Sequence, residues 1–295
     1  MPLPLSLFLL AATVPPAVAP AAPAETAPVA ASAPLLHDSR GRPVIRVRID
    51  DRDDVPMVVD TAAQASLIAA PFAAELGLTP QAGGIRVAGA TGVAAAAIYS
   101  VRRIASPLFD WRNVTLIAIP NATVTEAKGI LGIKAFRQRR LVFDRTNASL
   151  QALPSAAAPE GYATIAGRST AEGFVEIPMT LNGVPVAALV DTGAAVTVAN
   201  PAALRALGWR ADDPRLADGG EIRGAASTTQ GIRMATLDHV GIGRIGLSRV
   251  PIFFSVPPDG DDRPSMILGN DLLRLFEAFA VDLTRAELQI RIPAG

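Results

Sequence analysis

One pattern occurs twice in the chain, and that repetition limits the folds open to it more than any single motif does. Asp60 closes the apolar run "MVVDT" and Asp191 closes "ALVDT", 131 positions apart. Downstream of each stands an apolar pair closed by glycine, "GILG" ending at Gly132 and "MILG" ending at Gly269, 137 apart. In each copy a helical-looking segment follows, then a strand bearing an aspartate, with Asp144 and Asp282 separated by 138. Three landmarks in one order at nearly one period mark a duplicated structural unit. A carboxylate on an apolar strand is costly to desolvate, so Asp60 and Asp191 either cap turns, find partners or do chemistry.

The segments leading to each aspartate also correspond. Both "PVIRVRIDDRDDVPMVVDT" and "GFVEIPMTLNGVPVAALVDT" alternate apolar and polar residues around a polar turn, and Asn182-Gly183 is a strong hairpin signal in the second. Each aspartate therefore ends a hairpin. A short helix is predicted after each, with Asn200 as N-cap, Pro201 in the first turn and Gly208 near the end, and "PFAAELG" as the weaker counterpart. Glycine-punctuated polar hairpins, "IRVAGATGVAAAAIYSV" and "EIRGAASTTQGIRMATL", occupy equivalent places between the landmarks. The fold class is accordingly all-β: two related barrel-like lobes with short helices and pseudo-twofold symmetry, with a cleft between the lobes. We assign residues 39–153 to the first lobe, 154–170 to an Ala/Pro/Gly-rich linker and 171–295 to the second lobe.

Composition removes several chemistries. Acidic and basic residues balance at 27 each without a basic stripe among aromatics, so no nucleic acid is expected as a partner. The absence of cysteine excludes disulfides, thiolate metal sites and a cysteine nucleophile. His37 lies in an expected linker, and His239 follows an aspartate in "TLDHVGIG" with no G-x-S-x-G elbow in the chain, so both read as surface or loop residues and no metal or cofactor is expected. Asp144 and Asp282 fall beside turns and read as salt-bridge or turn-bonding residues, and "RQRR" at 137–140 as a solvated face near a helix end.

The N-terminal run has a short apolar core ending in A-x-A-like sites, which predicts a signal peptide over 1–24 with cleavage near Ala19 or Ala24, although its start carries no Lys or Arg. It is too short and proline-broken for a stable membrane span. The expected location is outside the cytoplasm, periplasmic or secreted, with 25–38 as a flexible lead segment.

With these residues in place, the chain resembles the aspartic peptidase superfamily, in particular its retropepsin-like branch. "LVDTGAAVTVA" resembles the D-T-G-A signature, "MILGNDLLRLF" the second hallmark and "AVDLTRAELQI" the closing strand; the similarity spans residues 40 to 292 as two acid-protease-type lobes. The resemblance implies that Asp60 and Asp191 are the catalytic pair and that the Thr61 and Thr192 hydroxyls cross-link the active-site loops. It further implies that Gly193 permits close backbone approach, that Gly132 and Gly269 lie on strands backing the loops, and that the hairpins around Gly89, Gly92 and Gly224 are flaps. Lobe one departs from the signature, since Ala62 stands where lobe two has Gly193. Its methyl crowds the loop if the backbone needs positive φ and is harmless otherwise. Ala63 and Ala194 offer no hydroxyl to the carboxylates, so a pH optimum less acid than that of pepsin-like enzymes is expected.

Three functions remain open on this reading. The first is an exported aspartic endopeptidase acting on a peptide or protein substrate as a monomer. In the second, a peptide-binding protein has a degenerate first lobe and makes no cut. In the third, the enzyme is active only as a dimer through Asp191.

Overall fold

The computed structural model describes residues 32–89, 92–119, 125–136, 138–224, 229–255 and 262–291. The signal peptide expected over 1–24 lies outside them. Lobe one contains β1 (Ser32–Pro34), β2 (Leu36–His37), β3 (Pro43–Ile49), β4 (Arg52–Asp60), β5 (Leu67–Ala69), α1 (Ala70–Glu75), β6 (Ile85–Gly89), β7 (Gly92–Ala96), β8 (Ile98–Ser106), β9 (Phe109–Ile119), β10 (Gly129–Gly132), a 3-10 turn (Ile133–Phe136), β11 (Arg139–Asp144) and β12 (Ser149–Pro154). Lobe two contains β13 (Tyr162–Ala166), β14 (Arg168–Ser169), β15 (Val175–Leu181), β16 (Val184–Val190), β17 (Val198–Ala199), α2 (Pro201–Ala206), β18 (Ala217–Arg223), β19 (Thr229–Ile242), β20 (Ile245–Ser255), β21 (Ser265–Leu268), α3 (Asn270–Leu273), β22 (Ala278–Asp282) and β23 (Glu287–Arg291).

The alternating sequences close on themselves twice. Strands β3, β4, β10, β5, β9 and β8 form one ring, sealed by the β3–β8 pairing, and β15, β16, β21, β17, β20 and β19 form the other, sealed by β15–β19. Alternation decides which side chains enter: in β3, Ile45, Val47 and Ile49 are buried while Arg46 and Arg48 face out. The fold is therefore the expected all-β, two-lobed one. Asn182 (φ 45°) and Gly183 (φ 84°) turn the β15–β16 hairpin with both φ positive, as a primed turn requires. In lobe one the corresponding β3–β4 hairpin shifts register between Val47 and Ile49, so it holds one residue more. The predicted helix caps are present too: Asn200 Oδ1 accepts from the Ala203 amide at 2.8 Å, whereas α1 has no side-chain cap.

A third sheet joins the lobes, in the order β1-β12-β11-β22-β23-β13. Its centre pairs Phe143 with Phe279 in register, and the two rings stack with centroids 4.8 Å apart. The pairings of the short strands correct two expectations. The lead segment is not loose from residue 32 onward, because β1 pairs with β12 and β2 with β3, which also places His37 on a strand. The segment assigned as a linker holds β13, paired with β23, and β14, paired with β15. Alanine-rich composition suggested coil, but β13 takes its hydrogen bonds from β23, a partner distant in sequence, and β14 from the start of β15. Arg139 and Arg140 likewise open β11 instead of forming a solvated helix end, with Arg140 Nη1 donating to Ala157 O at 3.3 Å; Arg137 lies outside the described residues.

Asp144 and Asp282 do serve turns. Asp144 accepts from the Asn147 amide at 2.9 Å, and the fully buried Asp282 accepts from the amides of Thr284, Arg285 and Ala156 and from the Ser155 hydroxyl. His239 is an exposed residue of β19. No helix among the described residues is long and apolar enough to cross a membrane.

Because the inter-lobe sheet is centred on the Phe143–Phe279 stack, Phe143→Ala should cost about 3–5 kcal/mol and destabilise both lobes together. Urea unfolding followed by Trp111 fluorescence in lobe one and Trp209 fluorescence in lobe two would check this; a shift confined to one lobe would contradict it.

Candidate active site

Asp60 and Asp191 reach the lobe junction by the same route. β4 ends at Asp60 and lies parallel to β10, with Gly132 as the register partner of Asp60. β16 runs parallel to β21, and the Asp191 amide donates to Leu268 O at 3.1 Å. The two glycines are required by closeness, not by φ. A Cβ on Gly132 would lie 2.6 Å from Ala63 O, and one on Gly269 would lie 2.5 Å from Val196 O. Both glycine amides donate to a hydroxyl behind the loop, Gly132 to Ser66 at 3.2 Å and Gly269 to Thr197 at 3.0 Å.

The loops are then locked across the junction by two buried threonines. Thr61 Oγ1 donates to Val190 O at 2.7 Å and accepts from the Thr192 amide at 3.1 Å. Thr192 Oγ1 donates to Val59 O at 2.7 Å and accepts from the Thr61 amide at 3.1 Å. Each hydroxyl thus uses both its donor and its acceptor capacity on the opposite lobe.

This lock sets the Asp60 and Asp191 carboxyls side by side, close enough for each to act on the ionisation of the other. Asp60 Oδ1 accepts from the Ala62 amide at 2.8 Å; Asp191 Oδ1 accepts from those of Gly193 at 2.8 Å and Ala194 at 2.9 Å. Gly193 has no room for a side chain, since a Cβ there would run into the Asp60 carboxylate. Ala62 is not among the residues with positive φ, and its methyl packs against Ile133, Phe174 and Leu189. The alanine in lobe one is accommodated without backbone strain.

Each carboxyl keeps a partly exposed face and is otherwise enclosed by protein. Burial raises Asp60 above the ordinary carboxylate range, countered by the Ala62 amide, by Asp191 and by Arg42. Burial and then the charge of Asp60 raise Asp191 well above that range. Two carboxyls raised in this way can hold one proton between them where isolated carboxylates would both be ionised. Such a pair can take a proton at one carboxyl and give one at the other. Among the described residues no group of His, Cys, Asp or Glu is placed to hold a metal ion.

Sequence reasoning missed the second layer. Asn270 Nδ2 donates to Thr192 O at 2.6 Å and to Ala194 O at 2.8 Å, bracing the lobe-two loop; in lobe one the corresponding contact is only the Ile133 amide donating to Ala63 O. Its signal was the polar residue straight after "MILG". Asp271 beside it is raised by burial and held by the Thr197 hydroxyl and amide at 2.6 and 2.9 Å, which makes it part of the same brace. The glycine-rich hairpins are present as β6–β7, bounded by Gly89 and Gly92, and as β18–β19, with Gly224 after β18. Val87 and Ala96 of the first pack in one cluster with Val58 and Ala63, anchoring that hairpin beside the Asp60 loop.

Comparison with known proteins finds a match in each lobe. The family described as "Aspartyl protease" matches residues 45–135, and that described as "gag-polyprotein putative aspartyl protease" matches residues 177–275. Each match contains one D-T motif and its downstream glycine. Among solved structures, a retropepsin-like aspartic protease from Rickettsia conorii is 23% identical, covering 45% of this chain and 91% of its own, with a TM-score of 0.35. No curated protein gives a significant match.

Raised carboxyl groups make stability fall with pH: it is fully present below the unfolded carboxylate range, near about pH 4, and is lost as pH rises through the folded values. Asp191→Asn removes the larger share of that loss. Urea unfolding at pH 4 and pH 7 should show a smaller drop for Asp191→Asn than for the wild type; equal drops would refute the shared-proton reading.

Proposed function

We propose, on the premise that this chain belongs to the retropepsin-like aspartic peptidases, that it is an exported endopeptidase in which Asp60 and Asp191 activate a water against a peptide bond. The observation that carries this is the reciprocal Thr61–Thr192 lock, which sets two carboxyl groups against each other at a junction between lobes. Aspartic peptidases are the standard case of such a pair sharing one proton. The ionised carboxyl takes a proton from water as the oxygen attacks the carbonyl carbon, and the protonated one donates to the carbonyl oxygen. Collapse of the tetrahedral intermediate then expels the amine with a proton. No metal is needed in this scheme.

Endopeptidase action is supported by the two hairpins, β6–β7 and β18–β19, which as flaps would close over an extended chain pairing along the cleft. Export is supported by the apolar, A-x-A-terminated start of the sequence. The one-chain lock favours a dyad made within a monomer over one made by two Asp191 loops. The unstrained Ala62 removes the main argument for a degenerate binding protein. Ala63 and Ala194 leave the carboxyls without a hydroxyl partner, which favours an optimum less acid than that of pepsin-like enzymes.

The protein from about residue 25 onward, given a mixed peptide library from acid to neutral pH with cleavage read by mass spectrometry, should cut internal bonds. Asp60→Asn and Asp191→Asn should each lower kcat/KM about a thousandfold or more, and the double variant little further. Cutting that survives Asp60→Asn would favour the dimer; no cutting by folded wild type would favour peptide binding. Ala62→Gly should leave cleavage in place and change stability by no more than about 1 kcal/mol.

A further inference from the structure

The two lobes enter their aspartate hairpins through the same turn, and the turn carries different side chains. In lobe one the Asp38 amide donates to Arg42 O at 3.1 Å, the Gly41 amide to Asp38 O at 2.9 Å and the Arg42 amide to Asp38 Oδ1 at 2.9 Å. In lobe two the Thr170 amide donates to Phe174 O at 2.9 Å, the Gly173 amide to Thr170 O at 2.9 Å and the Phe174 amide to Thr170 Oγ1 at 3.2 Å. Gly41 (φ 79°) and Gly173 (φ 90°) turn the chain in the same left-handed conformation. Asp38 therefore corresponds to Thr170, and Arg42 to Phe174.

Strand register carries these residues to the dyad. Val44 faces Val58 across β3–β4, and the same register continued by two positions would set Arg42 opposite Asp60. Glu176 faces Leu189 across β15–β16, and the same continuation would set Phe174 opposite Asp191. Phe174 is buried with Leu189 and Ile133, so lobe two has hydrocarbon at the position that Arg42 holds in lobe one. Arg42 is buried too, and its guanidinium is fixed by Asp38, with Nε 2.7 Å and Nη2 2.6 Å from Asp38 Oδ2. Lobe one thus carries a cation, whose charge acts on Asp60, at the place where lobe two carries a buried phenyl ring.

We propose that Arg42, held in its turn by Asp38, is a positioning residue that polarises the pair, keeping the negative charge on Asp60 and the proton on Asp191. The proposal rests on the peptidase reading above, where it makes Asp60 the acceptor of the water's proton and Asp191 the donor to the carbonyl oxygen. An opposite charge a few ångströms away favours ionisation, whereas an apolar wall disfavours it. The shifts of the two carboxyls agree: Arg42 opposes the upward push on Asp60, while the charge acting on Asp191 is that of Asp60. Among the described residues the other charged or titratable groups at the turn are His37 beside Asp38, Arg40, Glu126, which accepts from the Ser39 amide at 3.3 Å, Arg274, whose side chain lies over Gly41, and Arg145, whose charge acts on His37.

Removing Arg42 alone would strand a buried carboxylate, so the test uses Asp38→Asn/Arg42→Met, with Arg42→Lys as the conservative rescue. Circular-dichroism melts establish that each variant is folded. In the double variant the acid limb of kcat/KM should move up by about one pH unit or more. In Arg42→Lys it should stay near the wild type, and in Phe174→Leu it should not move. An unmoved limb in a folded, active double variant overturns the proposal. Carboxyl 13C NMR, with the Asp60 signal assigned by its loss in Asp60→Asn, reads the same shift without catalysis. Absence of cleavage would therefore count against the peptidase reading, while an Asp60 titration moving up in the double variant would still support polarisation by Arg42, and an unchanged one would still overturn it.

Discussion

Two carboxyl groups stay side by side in a folded protein only if something stiffer than their own contact holds them there. Here that restraint is the pair of buried threonines. Thr61 and Thr192 make four hydrogen bonds across the junction, each to a backbone group of the opposite lobe. Replacing either hydroxyl would leave a buried carbonyl and a buried amide unpaired, a loss well beyond that of one average hydrogen bond. The parallel strands, the backing glycines and the Asn270 brace can be understood as means of presenting these two side chains to each other.

Much of this was legible in the sequence because duplication carries its own check. The D-T motifs, the glycines at 132 and 269 and the hairpins before them recur in order, and the structure puts each in its paired place. The interlocking threonines followed from the family resemblance, which depended on the same residues. The inter-lobe sheet was not legible. Short strands such as β1 and β13, of three and five residues, offer too few positions for alternation to register. Their partners lie more than a hundred residues away in β1–β12 and β13–β23, so nothing local announces the pairing.

The correspondence between Arg42 and Phe174 escaped for a different reason. The one-residue bulge in β4 sets the first hairpin out of step with the second, so "DSRGR" and "TAEGF" align only when counted from the hairpin turn and not from the aspartate. Once aligned, they show how a duplicated fold departs from symmetry: the backbone device is kept, and one buried side chain is exchanged for another of opposite polarity. Ala62 against Gly193 is a second such exchange, with its methyl resting on the cluster that includes Phe174. The two asymmetries meet on the same side of the dyad.

The central sheet also fixes an order of events. β11, at residues 139–144, finds its neighbour β22 only at residues 278–282, and β13 waits for β23, the last strand described. On a ribosome the first lobe can close its barrel while the second is still being made. Asp60 then sits at the end of a finished strand with no carboxyl opposite it. Its partner loop can be seated firmly only after β22 and β23 have emerged, so the growing chain holds one carboxyl of the pair alone until those strands are made.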